Sequence, residues 1–310
     1  MAITFSRSDI LKGIAASITG FAVFAIGDAV AKWLTQSYPI VFLVLFNGLF
    51  GAFFLGLINA MTGGVKRAFR TRKLKLHIIR SVVYSLTAFL VIYAFANLPM
   101  ANVYAIIFAA PLITTALSAP LLKQHVGKRE WAGVLAGFAG ILVMLRPGLQ
   151  PIDLATISAL AGAFMFSTTS LMVSIISRDN DDHRMVYCMY PVMFQILAGI
   201  LACLAAGFEI PQTIVVDMDM GLFLLSGLLG ATGLYFVSTA FHIAPAAIVA
   251  PFHYSQMIWG VLLGYMIWND IPDQWTLIGG FMIIASGLYI IQTQTRRQPA
   301  PVVASDRTAG

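Results

Sequence analysis

Apolar segments of about 20 residues recur along nearly the whole chain and are separated by short polar links. This pattern is typical of helices that cross a bilayer, because a helix satisfies its own backbone hydrogen bonds in lipid. The breaks between the segments predict ten helices, at residues 11–34, 38–60, 77–97, 100–122, 128–146, 153–176, 184–207, 221–242, 245–268 and 274–292. We therefore expect an all-α membrane protein with ten transmembrane helices, followed by a flexible tail at 293–310.

The composition agrees with a membrane location. Of the 310 residues, 59% are hydrophobic and only 10% are charged, whereas about a quarter of the residues of a soluble domain are charged. Cys188 and Cys203 fall in one predicted helix, roughly 22 Å apart along its axis, which excludes a disulfide between them. The first apolar run, residues 14–34, is longer than the core of a signal peptide, so we expect it to be retained.

The basic residues predict the orientation. If the N-terminus is cytoplasmic, all 19 Lys and Arg residues except Lys32 and Arg146 fall on the cytoplasmic side, the largest group running from Lys66 to Arg80. This distribution predicts that both termini are cytoplasmic. The net charge of +6 thus reflects topology, and we expect contacts with anionic membrane lipid and none with nucleic acid.

The sequence also contains an internal repeat. AFANLPMANVYAI aligns with AFHIAPAAIVAPF, so that Ala94, Phe95 and Pro99 match identical residues 146 positions later. Chance similarity between apolar helices is the alternative, but prolines and glycines match as well as aliphatic residues. Each copy, 11–146 and 153–292, contains five helices, and an odd number makes the second copy enter the membrane from the opposite side. Inverted repeats are typical of secondary transporters.

Several segments carry a resemblance to a known family. GDAVAKWL, NLPMANVYAIIFAAPLITTALSAPLL, GVLAGFAGILVMLRPG and APAAIVAPFHYSQMIWGVLLGYMIWNDIPDQWTLIGGFMIIASGLYI resemble the EamA family of the drug/metabolite transporter superfamily. The resemblance covers about residues 11–292 and implies ten helices, two EamA repeats and carriage of a small metabolite. The chain departs from the family pattern at Asn47, Gln124 and His253, where relatives often have Arg, Glu and Glu.

These features together predict a secondary active transporter. We expect it to move a small organic metabolite, such as an amino acid, a vitamin or a nucleoside-like solute, across the inner membrane by alternating access. A passive channel or facilitator for the same solutes is one alternative. An intramembrane enzyme is another, although the sequence has no HExxH motif and no nucleotide-binding loop. We expect no cofactor and no metal, and a monomer is the working assumption.

Polar residues inside the apolar segments are the candidate site, because such residues are costly in lipid. His253 and Gln256 lie on one face of the predicted ninth helix, with Tyr254 and Trp259 on its flanks. The imidazole could bind a solute carboxylate or exchange a proton. A neutral histidine that only packs is the alternative. The other solute-binding candidates are polar or aromatic residues within spans, namely Asn47, Tyr84, Asn102, Tyr104, Tyr190 and Tyr235, and Gln195 and Ser238 are further candidates for a cavity wall.

Asp28 is the only acidic residue well inside a predicted helix. Together with His253 it is the candidate site for a coupling ion. Lys32, four residues later, is placed to pair with Asp28, so a plain ion pair near a helix end is the alternative. The spacings Gly133 to Gly137 and Gly260 to Gly264 are GxxxG patterns, which predict close helix packing.

Overall fold

The computed structural model describes residues 7–62, 65–122, 127–146, 152–178, 182–207 and 218–297. Within these ranges the chain is helical and contains no strand. The helices are α1 (Arg7–Leu34), α2 (Ile40–Thr62), α3 (Leu74–Asn97), α4 (Met100–Ile107), α5 (Ala109–Leu122), α6 (Lys128–Leu145), α7 (Leu154–Ser177), α8 (Val186–Ala205), α9 (Met218–Ile243), α10 (Ala246–Val249), α11 (Ser255–Trp268) and α12 (Gln274–Arg297), with 3-10 helices at Val65–Phe69 and Ala250–Tyr254.

The helices match the ten predicted spans. Seven segments of the described chain are long and apolar enough to cross a membrane, one of them formed by α4 and α5 together. Trp131–Leu145 and Gln274–Ile290 are shorter apolar helices, and α10 with α11 supplies the remaining span. The predicted all-α architecture is confirmed. Helix α12 continues to Arg297, so the first residues of the predicted tail are helical, and residues 298–310 lie outside the described part of the chain.

Two spans that were predicted as continuous helices are broken. The fourth is interrupted at Phe108, between α4 and α5, and the ninth contains the 3-10 helix Ala250–Tyr254. Pro111 and Pro251 lie in the first turn of the segments after α4 and α10, where the missing N–H of proline is tolerated. Phe108 and Tyr254 are 146 positions apart, which is the offset of the repeat. Their rings are in contact, with centroids 5.6 Å apart, so the two breaks meet inside the bundle.

The packing of the helices reflects the repeat. The first span, α1, packs extensively on the eighth, α9, and the third span, α3, packs in the same way on the sixth, α7. The first and third spans of one repeat correspond to the sixth and eighth spans of the other, so these two contacts are equivalent. Helix α2 packs on α8, which is the corresponding helix of the second repeat, and α6 packs on its counterpart α12. This exchange of contacts is the pattern that a pseudo-two-fold relation between two repeats gives.

Glycines permit close approaches between the halves. A Cβ atom on Gly199 of α8 would lie 2.7 Å from the Cα atom of Leu45 in α2. On Gly133 of α6 it would lie 2.6 Å from the side chain of Ile290 in α12. The glycines of the α6 pattern therefore serve helix packing, as their spacing predicts.

We expect Gly199→Ala to destabilise the fold by about 1–3 kcal/mol, because the added methyl group meets the backbone of α2, which a rotamer change does not move. Gly56→Ala is the matched control, since a Cβ atom there has no neighbour within 4 Å. Alanine is favoured over glycine within a helix by about 0.5–1 kcal/mol, so the control should be neutral or stabilised. Thermal unfolding in detergent measures both variants, and equal changes in Tm would contradict the packing argument.

Candidate functional site

A central cavity of about 130 Å³ lies between the two repeats. Helices α1 to α4 line it from the first half, and α7, α8, α9, the 3-10 helix and α11 line it from the second. The polar side chains on its wall are Asp28, Asn47, Tyr84, Thr87, Gln195, Ser226, His253 and Gln256. The structure thus brings the predicted residues Asp28, Asn47, Tyr84, His253 and Gln256 to one cavity.

The carboxylate of Asp28 is held through one of its oxygens. Its Oδ2 atom accepts a hydrogen bond from the hydroxyl of Tyr104 at 3.0 Å and another from Nε2 of Gln256 at 2.8 Å. Tyr104 belongs to α4 and Gln256 to α11, so both broken spans reach this carboxylate. The Oδ1 atom has no hydrogen-bond partner among the described residues. It is therefore available to a solute or to a proton.

An amide network joins three helices at another part of the wall. The side-chain Nδ2 of Asn47 in α2 donates to the carbonyl and to the hydroxyl of Ser226 in α9, both at 3.0 Å. Its Oδ1 accepts from Nε2 of Gln195 in α8 at 3.2 Å. Both polar atoms of Asn47 are thus engaged by the protein. The carbonyl oxygen of Gln195 has no partner within the described chain and is free to accept from a solute.

His253 lies on the cavity wall but is enclosed by aromatic rings. Its imidazole is stacked on Phe21 with the centroids 4.2 Å apart, and Phe166 and Phe108 stand at 5.0 and 6.0 Å. The side chain is only 4% exposed. Since Phe21 covers one ring face, a solute can reach the imidazole mainly at its edge. A role for His253 in binding solute or protons stays a prediction.

Other predicted residues do not line this cavity. Trp259 is 43% exposed on the outer surface of α11, because the inward face of this helix passes through Gln256 and Gly260. Tyr254 is buried against Gly287 of α12 and belongs to the core. Tyr104 does not line the cavity, but its hydroxyl donates a hydrogen bond to Asp28, which does.

Three further candidates lie elsewhere. Asn102 lines a separate polar cavity with Arg146, near the junction of α6 and α7. The hydroxyl of Tyr190 donates to the carbonyl of Phe69 at 2.9 Å, near the loop before α3. Tyr235 packs against a buried cluster of α2, α8 and α9. Aromatic and amide residues occur on all faces of these helices, which explains why residue type alone did not place them. Gln124 lies outside the described residues.

The alternative of an ion pair between Asp28 and Lys32 is wrong. The ammonium group of Lys32 lies 3.3 Å from Oδ2 of Asp270 and donates to the carbonyl of Leu98 at 2.9 Å. Lys32 stands at the end of α1, and its long side chain extends toward the loops that follow α3 and α11. Asp28, one turn deeper, receives only neutral donors. Lys32 therefore joins the ends of three spans, and the carboxylate of Asp28 remains available in the cavity.

Arg80 is a buried residue that the sequence interpretation assigned to the cytoplasmic loops. Helix α3 begins at Leu74, so Arg80 lies nearly two turns inside it and is only 2% exposed. Its Nε donates to the carbonyl of Thr169 at 3.1 Å, one terminal nitrogen donates to the carbonyl of Tyr187 at 2.6 Å, and the other donates to the hydroxyl of Ser238 at 3.2 Å. The apolar residues on both sides of it, in HIIRSVVY, were the signal for burial.

The two halves match a known family. Residues 11–146 and 153–292 match the EamA-like transporter family. The chain belongs to this family. The EamA protein is therefore a membrane transporter and not an enzyme, and both predictions are confirmed.

Curated relatives are similar over nearly their whole length. The EamA protein is 26% identical to a riboflavin transporter of Rhizobium johnstonii, over 90% of each chain. It is 23% identical to an S-adenosylmethionine uptake transporter of Rickettsia prowazekii, over 92% of this chain and 94% of that protein. A pseudopaline exporter of Pseudomonas aeruginosa is 21% identical, over 95% and 99%. A solved crystal structure with 19% identity has a TM-score of 0.64, covering 95% of this chain and 100% of the other, which shows a shared fold.

Proposed function

We propose that the EamA protein moves a small organic metabolite across the membrane by alternating access, with the solute bound in the central cavity. The observation that carries this proposal is the contact of Asp28 with Tyr104 and Gln256. Through it, the broken spans of both repeats meet at one carboxylate on the cavity wall. In inverted-repeat transporters the halves move against each other around a site near the midplane. Such a movement would change the contacts of Asp28.

The cavity limits the solutes that this conformation can hold. Its volume of about 130 Å³ is close to that of an engineered cavity of about 150 Å³ that binds benzene. A flavin or an adenosyl compound therefore requires the cavity to widen. Amide groups and aromatic rings share the wall, which suits a planar solute with hydrogen-bonding edges. Riboflavin and S-adenosylmethionine, named for two relatives, are thus the first probes to test.

We propose Asp28 as the coupling site for a proton. Both hydrogen bonds from its neighbours end on Oδ2, so Oδ1 can take up a proton without loss of these bonds. Lys32, the cation nearest in sequence, is engaged by Asp270. Protonation of Asp28 would remove the negative charge at the contact between the two broken spans. The movement of one half against the other could respond to this change.

We further propose that the protein lies in the bacterial inner membrane with both termini in the cytoplasm. Arg80 lies inside the bundle and no longer counts among the loop charges. The remaining basic residues between α2 and α3 still support this orientation. A monomer suffices, since the central cavity is formed by both halves of one chain.

Counterflow in proteoliposomes tests the transport proposal. Vesicles loaded with unlabelled riboflavin or S-adenosylmethionine should take up the labelled compound in a saturable manner if a carrier alternates between two states. A flux that rises linearly with concentration and shows no exchange would favour a channel. Failure of these two solutes and of a panel of amino acids, vitamins and nucleosides to exchange would contradict the proposed solute class.

We expect His253→Ala to abolish counterflow while the protein still folds and inserts, because the imidazole is part of the wall that a solute contacts. His183→Ala is the control, since His183 is an exposed residue between α7 and α8. Normal exchange by the His253 variant would show that this histidine only packs against Phe21.

A further inference from the structure

We infer that Arg80 is a second binding site, which takes a carboxylate or phosphate group of the transported solute on the cytoplasmic side of the central cavity. This inference rests on the proposed transport function and adds to it the charge of the solute. The Asp28 site and the Arg80 site lie on different helices of the first repeat and carry opposite charges.

The charge of Arg80 has no counterion within the described chain. The guanidinium is always protonated and is only 2% exposed. Its three hydrogen-bond acceptors, on Thr169, Tyr187 and Ser238, are two carbonyls and a hydroxyl, all of them neutral. The described carboxylates that form ion pairs are those of Asp182, Asp270 and Asp273, and each has another partner. A buried charge without a counterion is costly in a membrane protein, and ionisable residues inside the spans mark solute pathways.

The donors of Arg80 are only partly used. A guanidinium has five N–H groups, and the described contacts use three of them. The bond to the carbonyl of Tyr187 has a structural explanation, because the residue four positions later is Pro191, which has no N–H to close the helical bond. One N–H on each terminal nitrogen remains. Guanidinium N–H groups on two nitrogens can bind the two oxygens of a carboxylate or phosphate.

The space beside Arg80 adjoins the central cavity. A small cavity of about 20 Å³ lies beside Arg80, which is room for about one water molecule. Phe24, Tyr84 and Phe166 line both this cavity and the central one. These three rings therefore separate Asp28 from Arg80 in the present conformation. A carboxylate or phosphate group is larger than this space, so the rings must move apart before a solute that leaves the central cavity toward the cytoplasm meets the guanidinium.

The first test measures anion binding without transport. The purified protein in a neutral detergent is titrated with acetate or inorganic phosphate, with chloride holding the ionic strength constant, and Tm is recorded. We expect a saturable rise in Tm for the wild type. Arg80→Met should weaken the apparent affinity at least about tenfold, because the charged donors are lost. Equal responses of the wild type and this variant would overturn the inference.

A second pair of variants covers the case in which Arg80→Met does not fold. The hydroxyl of Ser238 lies 3.2 Å from a terminal nitrogen of Arg80, so Ser238→Asp places a carboxylate at the site. We expect this variant to have a raised Tm without added anions and no further response to acetate or phosphate. Ser238→Asn, of the same size but uncharged, should respond like the wild type. An undiminished response of Ser238→Asp would overturn the inference.

The two proposals fail separately. If no solute exchanges in proteoliposomes, the transport proposal fails, while the anion titration still decides whether Arg80 is a binding site. If exchange occurs and neither acetate nor phosphate raises Tm in an Arg80-dependent manner, the Arg80 site is rejected and transport stands.

Discussion

Asp28→Asn is expected to abolish proton-driven accumulation of the solute while exchange of labelled for unlabelled solute continues. Asparagine has the shape of aspartate, and its carbonyl oxygen can still accept the hydrogen bonds that Tyr104 and Gln256 donate to Oδ2. The amide of asparagine, unlike the carboxyl group of aspartate, does not gain or lose a proton near neutral pH. The binding cavity should therefore survive and the coupling should not. Uptake driven by an imposed pH gradient and counterflow without a gradient measure the two properties separately.

Asp153→Asn is the control for this experiment. Asp153 is an exposed cap of α7 whose side chain accepts from the backbone N–H of Thr156 at 2.8 Å. Hydrogen bonds from Thr156 hold the pKa of Asp153 below its ordinary value, so this carboxyl group is ionised in neutral solution. Asparagine caps a helix as well as aspartate does, and accumulation should be unchanged. If Asp28→Asn also retained its proton dependence, Asp28 would be only an acceptor that orders Tyr104 and Gln256.

The spans could be predicted because the membrane imposes a strict requirement on them. Each must be apolar over about 20 residues, and the polar links between them are visible in the sequence. The breaks at Phe108 and at Ala250–Tyr254 were not predicted, since the residues around them remain apolar. Pro111 and Pro251 were the available signals. They do not distinguish a broken helix from one that a proline only bends.

The cavity residues were predicted in part, for a related reason. A polar residue inside an apolar span avoids lipid, and this places Asp28, Asn47, His253 and Gln256 in the interior. The same argument does not distinguish a residue that lines the cavity from one that makes another interior contact. Tyr104 is an example, since it was predicted to bind solute but does not line the cavity. The partner of Lys32 is 238 positions away, and local spacing contains no information about such a contact.

Gly260→Ala is expected to lower both stability and transport, because Gly260 lies against the ring of Tyr104. A Cβ atom at this position would overlap the ring. Tyr104 is fully buried and has little space in which to move. Overpacking of this kind costs about 1–3 kcal/mol, and displacement of the ring would break the hydrogen bond from its hydroxyl to Asp28. Thermal unfolding and counterflow measure the two effects.

Two variants separate the packing of Tyr104 from its hydrogen bond. Gly264→Ala, one turn further along α11, is the matched control, since its Cβ atom would meet that of Met100 at 3.2 Å, which a shift of a few tenths of an ångström relieves. Gly260→Ala combined with Tyr104→Leu removes the ring and should regain thermal stability. It should not regain transport, because leucine has no hydroxyl to donate to Asp28. Full transport by the double variant would show that Tyr104 acts through packing alone, with Gln256 sufficient to hold the carboxylate.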